Sequence, residues 1–298
     1  MLSKKEVNKE LNPIIGIIGG SGVYEISGLV DKKWVTVETP WGIPSDQLLT
    51  GNVNQVPCVF LPRHGRGHSI IPSEVNHRAN IAAMKSLGVT DIVSVSAVGS
   101  LKEELSPGTF VIVDQIIDRT RLRKKSFFET GLVAHVSFAE PFCYRVGSIL
   151  YEQALTLGLP VVRGGTYLVM EGPQFSTRAE SNLYRSWGAS VIGMTTMPEA
   201  ALAREAEICY ATLAMVTDYD CWHEEHDAVS VDSVIKTLKN NASNAQSLIS
   251  RFIPALGKAE NKCYLGCQNA LDNAIITPKN DRYSDVVKKL KNIAGRVL

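Results

Sequence analysis

Unbroken apolar runs, each ending in glycine or a polar cluster, recur along this chain. Ile14 to Ile18, Val56 to Leu61, Asp91 to Val95, Phe110 to Ile117, Thr166 to Met170, Ser190 to Met194 and Ala211 to Val216 lack the polar alternation of a half-exposed strand. Runs of this kind predict strands buried on both faces. Between them the period becomes helical. Over 80–87, Ile81, Met84 and Leu87 form a stripe that stops at Gly88, as a helix closed by a left-handed glycine would. Pro198 fits the first helical position before 199–208. Ser230 fits a cap for a helix in which Val231, Val234, Ile235, Leu238, Ala242, Ala245, Leu248, Ile249 and Phe252 recur at helical spacing. Pro254 to Lys262 is the expected break, and a last helix over 283–297 places Val286, Val287, Leu290, Ile293 and Val297 on one side.

Strands alternating with helices predict an α/β fold, a single domain with a central mixed β-sheet flanked by helices. The expected organisation is a polar segment over 1–12, the main domain over 13–255, and an appendage over 256–298. The helix of that appendage needs a surface to cover, on its own domain or on a neighbouring subunit.

Composition narrows the function. The 298 residues are 45% hydrophobic, enough for a sizeable core, and 31 Lys and Arg balance 30 Asp and Glu. That balance makes no electrostatic case for nucleic acid or an anionic membrane as partner. No run approaches the roughly 18 apolar residues of a membrane-spanning helix. Cysteines 58, 143, 209, 221, 263 and 267 are scattered, several within apolar runs. This favours reduced thiols in a cytoplasmic protein over a disulfide framework. Cys263 and Cys267 lie near no histidine, so their spacing predicts no zinc site. His223 and His226 lack the His-Glu-x-x-His order of zinc peptidases. No metal is expected.

The chemistry-bearing residues follow the strands, where open α/β sheets bind ligands. Gly19-Gly20-Ser21-Gly22 follows the first run, Arg63-His64 the second, Ser96-Ala97 the third, and Met194-Thr195 the sixth. Successive glycine amides form an anion nest, and an arginine can grip an oxyanion with two parallel hydrogen bonds. His64, Ser96 and Thr195 can add donors. With no Walker lysine among them, these loops point to free phosphate. A turn, a surface ion pair and helix caps would account for the same residues one at a time. The first loop does not match Gly-x-Gly-x-x-Gly in register, which argues against a nicotinamide cofactor. The last run ends in Thr217-Asp218-Tyr219-Asp220. Continued strand geometry would turn both carboxylates the same way, to bind a ligand with two donors or to hold a proton for it.

Taken with Asn76-His77-Arg78-Ala79-Asn80, Glu171-Gly172-Pro173-Gln174-Phe175-Ser176-Thr177-Arg178-Ala179-Glu180, Met197-Pro198-Glu199 and Cys221-Trp222, these segments resemble the S-methyl-5′-thioadenosine phosphorylases. That group lies within the trimeric purine nucleoside phosphorylase family, and the resemblance runs from about Ile14 to Pro254. It implies the nucleoside phosphorylase fold, a homotrimer, a pentosyltransferase with nucleoside and phosphate as substrates, and no metal or organic cofactor. It implies Gly20, Ser21, Arg63, His64, Ser96, Ala97 and Thr195 as phosphate ligands. Met194 would pack on the ribose, and Phe175, Ser176 and Ile192 would lie near the purine, with Asp218 and Asp220 reading it. Val231, Val234 and Ile235 would wall the 5′ pocket, although their spacing alone equally describes helix core. His135 matches a histidine that an adjacent subunit contributes there. Ser21 and Ser96 stand where many relatives carry threonine, Gln174 replaces a common arginine, and the tail from about Gly257 matches no motif.

Overall fold

The structure, a computed structural model, describes residues 13–20, 25–223 and 231–298, with the side chains of 231–236 and 238 left aside. The first apolar run forms Ile14–Gly19 (β1). Leu29–Val35 (β2) and Leu48–Val53 (β3) then pair antiparallel, and β3 pairs with Val56–Pro62 (β4). The third apolar run extends to Val89–Ser100 (β5). Phe110 to Ile117, read as one strand, is two: Phe110–Ile112 (β6) and Gln115–Asp118 (β7). Asp114 breaks the run by accepting the Gly165 N–H at 3.0 Å. Val161–Arg163 (β8), Thr166–Val169 (β9), Val191–Gly193 (β10) and Cys209–Asp218 (β11) complete an 11-stranded mixed sheet.

The helices are His77–Ser86 (α1), Tyr144–Thr156 (α2), Arg178–Ser186 (α3), Glu199–Glu205 (α4), Val231–Lys258 (α5) and Ser284–Ala294 (α6). Ser230, the expected cap of α5, lies outside the described residues. Pro198 caps α4 instead of opening it. Helix α5 runs through Pro254 and ends at Lys258, within the stretch 254–262 read as the chain's one plausible break. Proline removes one helical hydrogen bond, but Phe252, Ile253 and Leu256 beside it are fully buried and hold the helix in place. One apolar layer gathers residues of α1, α4 and α6, the other residues of α2 and α5, so helices cover both sheet faces. Val286, Leu290 and Ile293 bury α6 in the first layer, against the chain's own body. No helix among the described residues is long and apolar enough to cross a membrane.

The arrangement around β5 positions the site. On one edge β5 is paired by β11 over Asp91 to Gly99. On the other edge it pairs in parallel with β1 up to Ser94, then antiparallel with β10 from Gly99. Residues 95–98 lie between these two partners, and the sheet opens there. An opening where strand partners change is where α/β sheets bind ligands.

Candidate active site

The opening in the sheet lies along a cavity of about 360 Å³, within the range of small-molecule sites. Val95 to Gly99 line it, together with Gly20 after β1, Arg63 and His64 after β4, Thr195 after β10, and Asp218 and Asp220 after β11. Met194 and Ile192 also line it, and Phe175, 50% exposed, stands at its rim. Ser176 is not among the lining residues; its hydroxyl faces Met170 Sδ at 3.9 Å. Ser21 lies outside the described residues, as do the side chains of Val231, Val234 and Ile235, although Ala242 on the same helix reaches the cavity. His135 is exposed and not among the residues lining this chain's cavity, its backbone N–H donating to Ala274 O at 2.9 Å.

Arg63 does not offer the two-pronged grip expected of it. Its Nε donates to Glu199 Oε1 at 2.5 Å and its Nη2 to Glu199 Oε2 at 3.1 Å and Ser94 Oγ at 2.6 Å. Nη1 donates to Val95 O at 3.1 Å, leaving that nitrogen's second N–H for the cavity. Glu199 is fully buried and also accepts from Tyr210 Oη at 2.9 Å. Burial opposes its ionisation, but the Arg63 charge and hydrogen bond, with His77 Nδ1 3.6 Å away, hold it well below the usual carboxylate range. Arg63 is thus a fixed positive charge behind the cavity, more than a clamp within it. Glu199 falls in the Met197-Pro198-Glu199 segment that carries the resemblance, which implies no role for it. A lone carboxylate opening the apolar stretch Ala200-Ala201-Leu202 was the signal that a buried cation must meet it. Glu199→Ala strands a buried guanidinium and is expected to cost about 3–5 kcal/mol, read as a lower urea midpoint at unchanged m-value.

Beside this pair, hydroxyls converge. Ser96 Oγ lies 2.7 Å from Thr195 Oγ1 and 2.9 Å from Tyr167 Oη, and Tyr167 Oη lies 3.1 Å from Thr195 Oγ1. Tyr167, unmarked in the sequence, fits because Gly193 has no side chain: a Cβ there would meet its hydroxyl at 2.1 Å. His64 Nδ1 lies 2.8 Å from Ile70 O. A carbonyl only accepts, so Nδ1 carries the proton. Burial, then the Arg63 charge, push the His64 pKa down to about 4. Neutral His64 therefore presents an Nε2 lone pair, an acceptor where a donor was expected.

The two carboxyls meet, though not by strand alternation. The strand register shifts between Val216 and Asp218, β11 ends there, and a turn brings Asp220 back to the cavity. Gly99 makes room: a Cβ on it would lie 3.0 Å from Asp218 Oδ1 and 3.3 Å from Asp220 Cβ. Burial pushes the Asp218 pKa up to about 6, against the Thr217 hydroxyl that donates to Oδ2 at 2.7 Å and with the help of the Asp220 charge. Asp220 is also shifted upward by burial, and its Oδ2 is buried with no hydrogen-bond partner. An acceptor in that state is poised for a donor on a ligand.

Known proteins resemble this chain over nearly its whole length. Residues 14–254 match the phosphorylase superfamily. The S-methyl-5′-thioadenosine phosphorylase of Cereibacter sphaeroides is 58% identical over 97% of this chain and 99% of its own length. That of Geobacter sulfurreducens is 54% identical over 96% and 99%. The crystal structure of a methylthioadenosine phosphorylase from an antarctic soil metagenomic library superposes with a TM-score of 0.89 at 48% identity, covering 95% of this chain and 99% of that one. The Schistosoma mansoni methylthioadenosine phosphorylase in complex with adenine superposes with a TM-score of 0.78 at 38% identity, covering 83% and 93%. With the phosphorylase match spanning most of the chain and these relatives nearly all of it, the chain belongs to the phosphorylase superfamily, in its S-methyl-5′-thioadenosine phosphorylase family.

Proposed function

We propose that this chain catalyses phosphorolysis of S-methyl-5′-thioadenosine to adenine and 5-methylthioribose 1-phosphate. One observation carries the reading: a single cavity holds an anion-suited group of Gly20, Arg63, His64, Ser96 and Thr195 together with the carboxyl pair Asp218 and Asp220.

The C1′–N9 bond breaks as a phosphate oxygen bonds to C1′. Ser96 and Thr195 hydroxyls and the remaining Arg63 N–H hold the phosphate, and His64 Nε2 accepts from its O–H. The phosphate charge stabilises an electron-poor C1′ and is already placed for attack. Asp218, protonated, donates to purine N7 as negative charge develops there, and ionised Asp220 accepts from the 6-amino group. The apolar flank of Met194, Ile192 and Phe175 suits ribose and base. Val231, Val234 and Ile235, on the helix that also carries Ala242, wall the 5′ thiomethyl group. The working form is a homotrimer in which the exposed His135 of one copy completes a neighbour's 5′ pocket. No organic cofactor takes part, and the cytoplasm suits the chain's unpaired thiols.

Adenine release from methylthioadenosine, adenosine and 2′-deoxyadenosine, each with and without phosphate, tests this. Release that requires phosphate and favours the thiomethyl substrate is expected. Release without phosphate would make the protein a hydrolase, equal rates on all three a broader purine nucleoside phosphorylase, and binding without turnover a silent nucleoside-binding protein.

A further inference from the structure

Away from the cavity, four cysteines distant in sequence come together. Cys143 caps the N-terminus of α2, Cys209 opens β11, and Cys263 and Cys267 lie in the segment after α5. All four Sγ atoms lie within 4.8 Å of one another, with Cys143 and Cys263 at 3.7 Å. Cys143, Cys209 and Cys267 are 1% exposed or less. Gly266, left-handed at φ 68°, donates its N–H to Cys263 O at 3.1 Å. That turn folds Cys263-Tyr264-Leu265-Gly266-Cys267 back on itself, so that both its sulfurs join the cluster.

The spacing has a specific meaning. A disulfide joins sulfurs at about 2.05 Å. Tetrahedral thiolates about 2.3 Å from zinc stand about 3.8 Å from one another. The Cys-x3-Cys turn also falls within the usual ligand spacing of structural zinc sites. Charge gives a second, independent observation. Arg145 pairs through Nη2 with Asp91, while its Nε and Nη1 are buried without hydrogen-bond partners. Its charge lies near the Cys209 and Cys143 sulfurs. Neutral thiols would leave those donors unmet, whereas four thiolates on a divalent ion carry net negative charge and accept from them.

We propose that Cys143, Cys209, Cys263 and Cys267 bind one zinc ion as a closed, structural tetrathiolate site. Each thiol releases its proton to solvent on binding, and nothing is oxidised or reduced. All four positions being filled by sulfur, the ion has no open position for substrate. It also sits at the start of β11, whereas Asp218 ends that strand roughly 30 Å away at about 3.3 Å per residue. Its effect is mechanical: it ties the segment after α5, and through it α6, to α2 and the central sheet. The proposal departs from the expectation of no metal because folding adds Cys143 and Cys209 to Cys263 and Cys267.

The test uses the full chain, purified under reduction without added chelator. Elemental analysis is expected to find one zinc per chain, released by a thiol-specific mercurial. Replacement with cobalt(II) is expected to give the intense visible bands of a tetrahedral cobalt thiolate. Cys263→Ser combined with Cys267→Ser should lose the metal and lower Tm, whereas Cys58→Ser should keep it. If the double variant fails to fold, zinc content and cobalt spectrum of the parent still decide. Substoichiometric zinc without cobalt bands would overturn the site, as would mass spectrometry of freshly purified, unreduced protein showing disulfides among the four.

Discussion

Replacing Asp218 with alanine is expected to slow turnover by about two to four orders of magnitude, the usual effect of losing a general acid. Asp218 is the cavity's one carboxyl whose pKa is pushed up to about 6, chiefly by burial and further by Asp220. It can therefore hold a proton near neutrality and lose it to a purine nitrogen. The pH dependence has a definite sign. The acid works only when protonated, so kcat/KM of the parent should fall as pH rises through about 6, and Asp218→Asn should lack that limb. Adenine release under conditions where chemistry limits the rate is the measurement, and a loss below tenfold would rule out Asp218 as the acid.

On substitution, stability should move opposite to activity, whereas with rising pH both fall. Because the folded pKa of Asp218 lies above its ordinary value of 3.8, the native state binds more protons than the unfolded chain between those values. Its contribution to stability is therefore present at low pH and lost as pH rises through about 6. Asp218→Asn should then be more stable than the parent at pH 8, by about 1–3 kcal/mol, and no more stable at pH 4. A substitution that removes activity while strengthening the fold marks a residue kept for chemistry.

Asp220→Asn is expected to lower the ratio of adenosine to inosine kcat/KM by at least about a hundredfold. Asp220 Oδ2 is buried and unpartnered, and a 6-amino purine supplies the N–H it lacks. A 6-oxo purine supplies only another acceptor, so two buried acceptors would face each other unpaired. An asparagine amide reverses this by offering donors to O6. Steady-state kinetics on both nucleosides reads the outcome, and an unchanged ratio would remove Asp220 from base recognition.

Strands buried on both faces were readable because burial there is local in sequence: Ile14 to Ile18 and Ala211 to Val216 are apolar throughout. β2, Leu-Val-Asp-Lys-Lys-Trp-Val, escaped because its middle residues are exposed. So did α3, which buries only Ser181 and Tyr184 and so writes no apolar stripe. Pro254 does not end its helix, because packing around Phe252 and Leu256 overrides its local preference and the helix closes four residues later, at Lys258.

The sequence by itself determined the fold class and, through its motifs, most of the cavity's chemistry, since the groups that follow β1, β4 and β11 leave parallel strands and emerge at one end of the sheet, while the antiparallel β10 brings Thr195 to them by a route that only the fold shows. Only the tertiary structure decided what those groups are free to do. It joined Arg63 to Glu199, 136 residues away, set the proton on His64, and brought Asp220 back beside Asp218 by a turn. It also assembled four scattered cysteines. Hydrophobic period is a property of neighbours along the chain, whereas hydrogen-bond occupancy, desolvation and ligand geometry depend on partners that only folding brings within reach.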